Sequence, residues 1–177
     1  AGRMVGELAG RNLKKVALEL GGKNALIVLD DADLAAALSC GAWASWLHQG
    51  QICMSAGRHL VHRSVLEEYS KRMAEKAAAL PVGDPFRENV AIGPLITQAQ
   101  ADRVRDIIER SVAMGAKLLA GGKVEGRYAS PTVLSDVRPG MPAFEEEIFG
   151  PVVSVTGFAT DDEAVELANA TEYGLSA

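Results

Sequence analysis

The chain has 177 residues, 48% of them hydrophobic, and a formal net charge of −5. That length and apolar content suit one globular domain with a genuine core. Scattered Lys and Arg in an acidic chain exclude a basic nucleic-acid footprint, and no apolar run approaches the roughly 20 residues of a membrane-spanning helix.

Ala1 to Gly10 lacks the charged start and apolar middle of a secretion signal, so a cytoplasmic protein is expected. Cys40 and Cys53 are too few for a disulfide framework, and no Cys-x-x-Cys or histidine spacing suggests a metal site. The expectation is two free thiols, no metal, and His48, His59 and His62 as polar residues at the edge of structure.

Lys15–Leu20 and Ala25–Leu29 are short apolar runs split by Gly21-Gly22-Lys23-Asn24, and read as two strands. Asp30, Asp31 and Asp33 suit a helix start, and Leu34–Leu47 is apolar or small almost throughout. A helix apolar on all sides should be buried, which makes Trp43, Trp46 and Cys40 core residues. Gln49–Gly57 loses periodicity and should be a loop, with His59–His62 resuming as a strand. Ser64-x-x-Glu67 has the form of a capping box ahead of a helix bearing Leu66, Tyr69, Met73, Ala77 and Leu80.

Pro81–Leu95, rich in Pro, Gly and charge, reads as a surface connection. Thr97-x-x-Gln100 opens the next helix, with Ala101, Val104, Ile108 and Val112 on its apolar face and Gly115 as its stop. Lys117–Ala120, Thr132–Leu134 and Val152–Phe158 are strands, and Thr160-x-x-Glu163 caps a last helix to about Ala170. Strands alternating with capped helices predict an α/β fold with a largely parallel sheet covered on both faces. Working residues in such sheets gather at the carboxyl ends of strands, where the Cys53 loop, the Leu20–Gly22 turn and the Glu145–Pro151 segment are expected to meet.

A lone cysteine is most often a small core hydrophobe. Cys53 departs from that reading, because it lies between Gln51 and Ser55 in a glycine-bounded loop where a thiol can be exposed and backbone N–H groups can face an incoming oxygen. A cysteine nucleophile leaves a thioester that something must resolve, and Glu19, ending an apolar run, is the candidate carboxylate to activate water. Local pattern serves an outward-facing strand-end carboxylate equally well. For Glu145-Glu146-Glu147, the pattern by itself favours a solvated run with Phe149 in the core; the sharper reading has Gly150-Pro151 presenting Glu147 and Phe149 to a ligand.

Together, Leu18-Glu19-Leu20-Gly21-Gly22-Lys23, Gly50-Gln51-Ile52-Cys53, Glu147-Ile148-Phe149-Gly150-Pro151 and Asn169-x-x-x-Tyr173-Gly174-Leu175 resemble the NAD(P)-dependent aldehyde dehydrogenase superfamily in order, spacing and identity. The wording His48 to Met54 and Val82-Gly83-Asp84-Pro85 is most similar to its bacterial benzaldehyde- and vanillin-oxidising members.

The resemblance implies that Cys53 attacks an aldehyde and that Glu19 activates the water that releases the acid. It places Glu147 on the hydroxyls of the nicotinamide ribose, Phe149 beside the nicotinamide of NAD or NADP, and the Leu20 backbone near the carboxamide. It further implies residues 1–19 as a remnant of a cofactor-binding domain, residues 20–177 as a catalytic domain, and a parent enzyme that assembles as a homo-oligomer, dimer or tetramer. Transfer of the acyl group to coenzyme A in place of water is the rival enzymatic reading, and a non-catalytic folded module is the reading for the fragment alone.

Overall fold

The structure, a computed structural model, describes residues 1–177. Helix α1 (Gly2–Arg11) opens the chain and buries only Gly2. Residues 11–20 are exposed throughout and enter no sheet, so the strand expected over Lys15–Leu20 does not form. Its alternating Val16, Leu18 and Leu20 have strand periodicity, but a strand exists only where a neighbour takes up its backbone N–H and C=O groups. No strand of this chain lies alongside that segment.

Strands β1 (Ala25–Val28), β2 (Arg58–His62), β3 (Lys117–Ala120), β6 (Thr132–Ser135) and β7 (Val152–Phe158) form one sheet in the order β1-β2-β7-β6-β3. The contacts β1–β2, β2–β7 and β6–β7 are parallel, while edge strand β3 runs antiparallel to β6. A short hairpin, β4 (Val124–Glu125) and β5 (Tyr128–Ala129), occupies the glycine-rich turn between β3 and β6.

Helices cover both faces, as the alternation of strands with helices predicts. Val61, Val133, Val153 and Val155 point to the side carrying α2 (Leu34–Trp46) and α3 (Leu66–Ala79). Leu60, Leu134, Val152 and Phe158 point to the side carrying α4 (Gln98–Ala113), α5 (Pro142–Glu145) and α6 (Asp161–Asn169). Successive strand residues face opposite layers, which is why Leu60 and Val61 belong to different cores.

Of the four helix starts expected from the sequence, three follow local chemistry. Asp33 caps α2 by accepting from the Ala35 and Ala36 N–H groups, and Thr97 and Thr160 cap α4 and α6 in the same way. The expected box at Ser64 does not form: α3 starts after Val65 with no side-chain cap, and Ser64 Oγ instead pairs with His62 Nδ1 at 2.7 Å. In α4 the buried face turns through Ile107 and Ser111, leaving Val112 exposed. The connection Pro81–Leu95 is also more than surface, because Ile92 and Leu95 reach the core.

Three further expectations are corrected by packing. Trp46 is 3% exposed but Trp43 is 63% exposed, and Cys40 is exposed as well. Only the face of α2 bearing Leu38, Gly41, Ser45 and Trp46 meets the rest of the chain. His59, expected at an edge, lies fully inside, because β2 is flanked by β1 and β7 and its side chains enter helix-covered layers.

Candidate active site

Three loops meet at one rim of the sheet. Gly21–Asn24 leads into β1, Cys53–Gly57 into β2, and Glu147–Pro151 into β7. The rim is therefore formed at the amino ends of these parallel strands, and the carboxyl-end placement is corrected. That placement treated Gly21-Gly22 as the exit from a strand over 15–20; without that strand, the turn is the entrance to β1.

Contact between the loops depends on small residues and on direct hydrogen bonds. A Cβ on Gly22 would lie 2.6 Å from the Cys53 carbonyl oxygen, and one on Gly50 would strike the Gly150 carbonyl. Gly50 also has φ +68, a conformation that L side chains rarely adopt. The Gly22 N–H donates to Glu147 Oε1 at 3.0 Å, and Asn24 Nδ2 donates to the Cys53 and Ser55 carbonyls at 2.7 and 3.1 Å.

Cys53 is a free thiol of intermediate burial. The backbone bonds of its loop run from Ser55 N–H to Ile52 O and from Ala56 N–H to Ala44 O, leaving the Cys53 and Met54 N–H groups uncommitted to backbone carbonyls. Those are the donors that a developing oxyanion would require. Glu147 and Phe149 are half-buried beside this loop, with Phe149 at φ +54.

Helix α4 holds that strained turn. Gln100 Nε2 donates to the Ile148 and Phe149 carbonyls, both at 2.9 Å, and Arg103 donates to the Glu147 carbonyl at 2.7 Å. Gln100 thus serves the turn at Phe149 and does not complete a capping box with Thr97. Glu145 and Glu146 divide differently: Glu146 pairs with Arg103 and Arg110, and Glu145 accepts from the Gly140 N–H.

Glu19 and Leu20 are placed less firmly. Both are exposed, Leu20 packing against Gly2, and they reach the site through the adjoining Gly21-Gly22 turn. The structure thus brings Cys53, Glu147 and Phe149 into one rim and leaves Glu19 and Leu20 on its exposed approach.

Two buried cations behind the rim escaped the sequence reading. Arg58 donates to the carbonyls of Lys23, Leu167 and Ala168 at 3.0, 2.8 and 2.9 Å, thereby capping the end of α6, and stacks over Phe144 at 5.0 Å. Burial lowers its pKa. Lys23 is buried with no protein partner for Nζ. Burial first and the Arg58 charge second draw its pKa down to about 7, against the opposing pull of Glu147. A charged residue directly before or at the start of a buried strand is the signal for both, since such a group needs a partner or a shifted pKa.

A tight space of about 20 Å³ lies where these loops join, lined in part by Gly22, Lys23, Ser55 and Glu147. A much larger concave space, about 820 Å³, lies elsewhere, between α3 and the β3–β6 edge.

Known proteins resemble the chain in both sequence and fold. The profile of the aldehyde dehydrogenase family matches residues 1–177. Vanillin dehydrogenase of an Amycolatopsis species is 55% identical over 176 residues, and NAD(+) benzaldehyde dehydrogenase of Pseudomonas putida is 54% identical over the same length. Each alignment covers 99% of this chain and 36% of the relative, so the chain spans about a third of their length. Among solved structures, lactaldehyde dehydrogenase of Escherichia coli superposes with a TM-score of 0.94 at 40% identity, covering 99% of this chain and 38% of that one. An aldehyde dehydrogenase of Bacillus cereus in complex with NAD+ gives 0.93 at 36% identity, covering 99% and 36% respectively. On both sequence and fold, the chain belongs to the aldehyde dehydrogenase family.

Proposed function

We propose that this chain is the thiol-bearing part of an NAD(P)-dependent aldehyde dehydrogenase that oxidises an aromatic aldehyde to its carboxylic acid. The observation that carries the reading is the half-buried free thiol of Cys53 in a loop that meets the Glu147–Phe149 turn through Gly50 and Gly150. The vanillin and benzaldehyde dehydrogenases among its relatives favour an aromatic substrate.

Cys53 Sγ attacks the aldehyde carbon, and the free N–H groups of Cys53 and Met54 are placed in sequence to steady the resulting oxyanion. Glu19 then removes a proton from water as that water attacks the thioester, releasing the acid and returning the thiol. Its exposure on a segment without sheet partners means that its final aim depends on what covers that segment in the intact protein.

The rim also fits a nicotinamide ribose. Glu147 Oε1 is occupied by the Gly22 N–H, while Oε2 lies against Gly21 and keeps its capacity to accept from a hydroxyl. Phe149, whose backbone sits at positive φ, would pack its ring beside the nicotinamide, and the Leu20 backbone would lie near the carboxamide. Bound NAD(P) would supply the hydride acceptor for the one redox step. Residues 1–19 belong with a cofactor-binding domain and residues 20–177 with a catalytic domain, in a cytoplasmic homo-oligomeric parent. The exposure of residues 11–20 supports that division, and we expect the 177-residue chain alone to bind NAD poorly and not to turn over.

In the intact protein, Cys53→Ala is expected to abolish NAD(P)-dependent oxidation of vanillin and benzaldehyde, and Glu19→Gln to trap the acyl-enzyme, visible as an added acyl mass. Wild-type turnover by Cys53→Ala would sink the reading. Product made only with coenzyme A present would replace hydrolysis with acyl transfer.

A further inference from the structure

Behind the Cys53 loop, three polar side chains from three elements form a chain in the core. Tyr69 of α3 and His59 of β2 have no exposed surface, and Ser45 of α2 is buried too. Tyr69 Oη lies 2.9 Å from His59 Nδ1, His59 Nε2 lies 2.9 Å from Ser45 Oγ, and Ser45 Oγ lies 2.6 Å from the Ala56 carbonyl oxygen.

The proton positions follow from chemistry. A carbonyl can only accept, so Ser45 donates its one hydroxyl proton to Ala56. Ser45 must then accept from His59, which places the ring proton on Nε2. Nδ1 is left bare and accepts from the Tyr69 hydroxyl. Burial keeps this imidazole neutral, drawing its pKa down to about 4, and raises that of Tyr69, so both groups hold the states the chain requires. Cys40 is the other titratable side chain near Tyr69.

Such a chain is costly to bury and would be dispensable if it only filled space. Its end point is informative: Ala56 lies three positions after Cys53, and its N–H is bonded in turn to the Ala44 carbonyl at 3.1 Å. Asn24 holds the same loop from its other flank at Cys53 and Ser55. Gly41 admits the relay, since a Cβ there would lie 2.7 Å from Tyr69 Oη and 2.9 Å from His59 Cε1.

We propose that Tyr69, His59 and Ser45 are positioning residues that hold the Cys53 loop, with the Tyr69 hydroxyl satisfying bare Nδ1 in the His59 tautomer that frees the Ser45 hydroxyl to grip Ala56. This rests on Cys53 as the nucleophile. Without the Tyr69 hydroxyl, the imidazole can carry its proton on Nδ1 and accept at Nε2. Ser45 is then drawn to donate to His59, and the Ala56 carbonyl is released.

The test uses the intact protein with 15N-labelled histidine. His59 is expected neutral and in the Nε2–H form between about pH 5 and pH 8, and Tyr69→Phe is expected to bring up a Nδ1–H fraction. Tyr69→Phe and Ser45→Ala should each lower kcat about tenfold, with unchanged KM for aldehyde and NAD, and slow Cys53 alkylation by iodoacetamide by a similar factor. The double variant should be no slower than the slower single one. A Nδ1–H or charged His59 in the wild type, wild-type kcat in the folded Tyr69→Phe protein, or losses that multiply in the double variant would overturn the proposal. Turnover by Cys53→Ala, with alkylation still responding to Tyr69→Phe, would remove the dehydrogenase reading and leave the relay standing.

Discussion

In the proposed reaction Cys53 and Glu19 take successive steps, yet the chain treats the two positions in opposite ways. The Cys53 loop is held at three points, by Asn24 on the Cys53 and Ser55 carbonyls and by Ser45 on that of Ala56. Glu19 lies in a stretch whose residues are all exposed and which no strand flanks. Both stretches carry glycines nearby and both lack regular secondary structure. The difference is the supply of buried partners: β1, α2, β2 and α3 converge behind the thiol, whereas nothing in this chain converges behind the carboxylate. A loop becomes a positioned site when its backbone polar groups are claimed by rigid elements, and composition alone does not show whether they are.

The largest effect on catalysis should come from cutting the firmest anchor. Asn24→Ala removes both donors to the thiol loop and the oxygen that accepts from the Ser176 N–H at 3.0 Å. We expect kcat of the intact protein to fall about a hundredfold as the loop loses its aim, and denaturant unfolding to show a loss of about 2 kcal/mol. Activity near that of the wild type would mean that the anchors do not position the thiol.

Acid should weaken the anchored region through His59. Its folded pKa of about 4 lies below the ordinary 6.5, so between those values the unfolded chain binds the extra proton and acid favours unfolding. Stability should fall by roughly 3 kcal/mol from pH 6.5 to 4, with no further loss from this group below that. Denaturation of His59→Asn across the same range should show a slope shallower by that amount; an equal slope would remove His59 as its source.

The smallest effect belongs to the unanchored region. Leu18→Ser in the 177-residue chain should shift the unfolding free energy by less than about 0.5 kcal/mol, because the side chain is already exposed. A loss of several times that amount would show that the approach segment is packed after all, and would erase the contrast with the Cys53 loop.

Much of the molecule was legible from local pattern. Short apolar runs marked β2 and β7, side chains at three- and four-residue spacing marked α3 and α4, and Asp33, Thr97 and Thr160 marked helix starts, because these signals act over one or two turns of chain. The motifs around Glu19, Cys53 and Glu147 were legible together, and with them the family. What the tertiary structure alone decided depends on partners distant in sequence. Val16, Leu18 and Leu20 alternate like a strand, but no neighbour pairs with them; Trp43 and Cys40 lie on an apolar helix whose second face meets nothing in this chain. The Gly22–Glu147 bond joins residues 125 positions apart, and together with the other loop contacts it sets the site at the amino ends of β1, β2 and β7. His59 looked like an edge residue because its two partners, Ser45 and Tyr69, come from separate helices. Periodicity reports which face of an element is apolar; which group satisfies a buried polar atom is settled only when the elements pack.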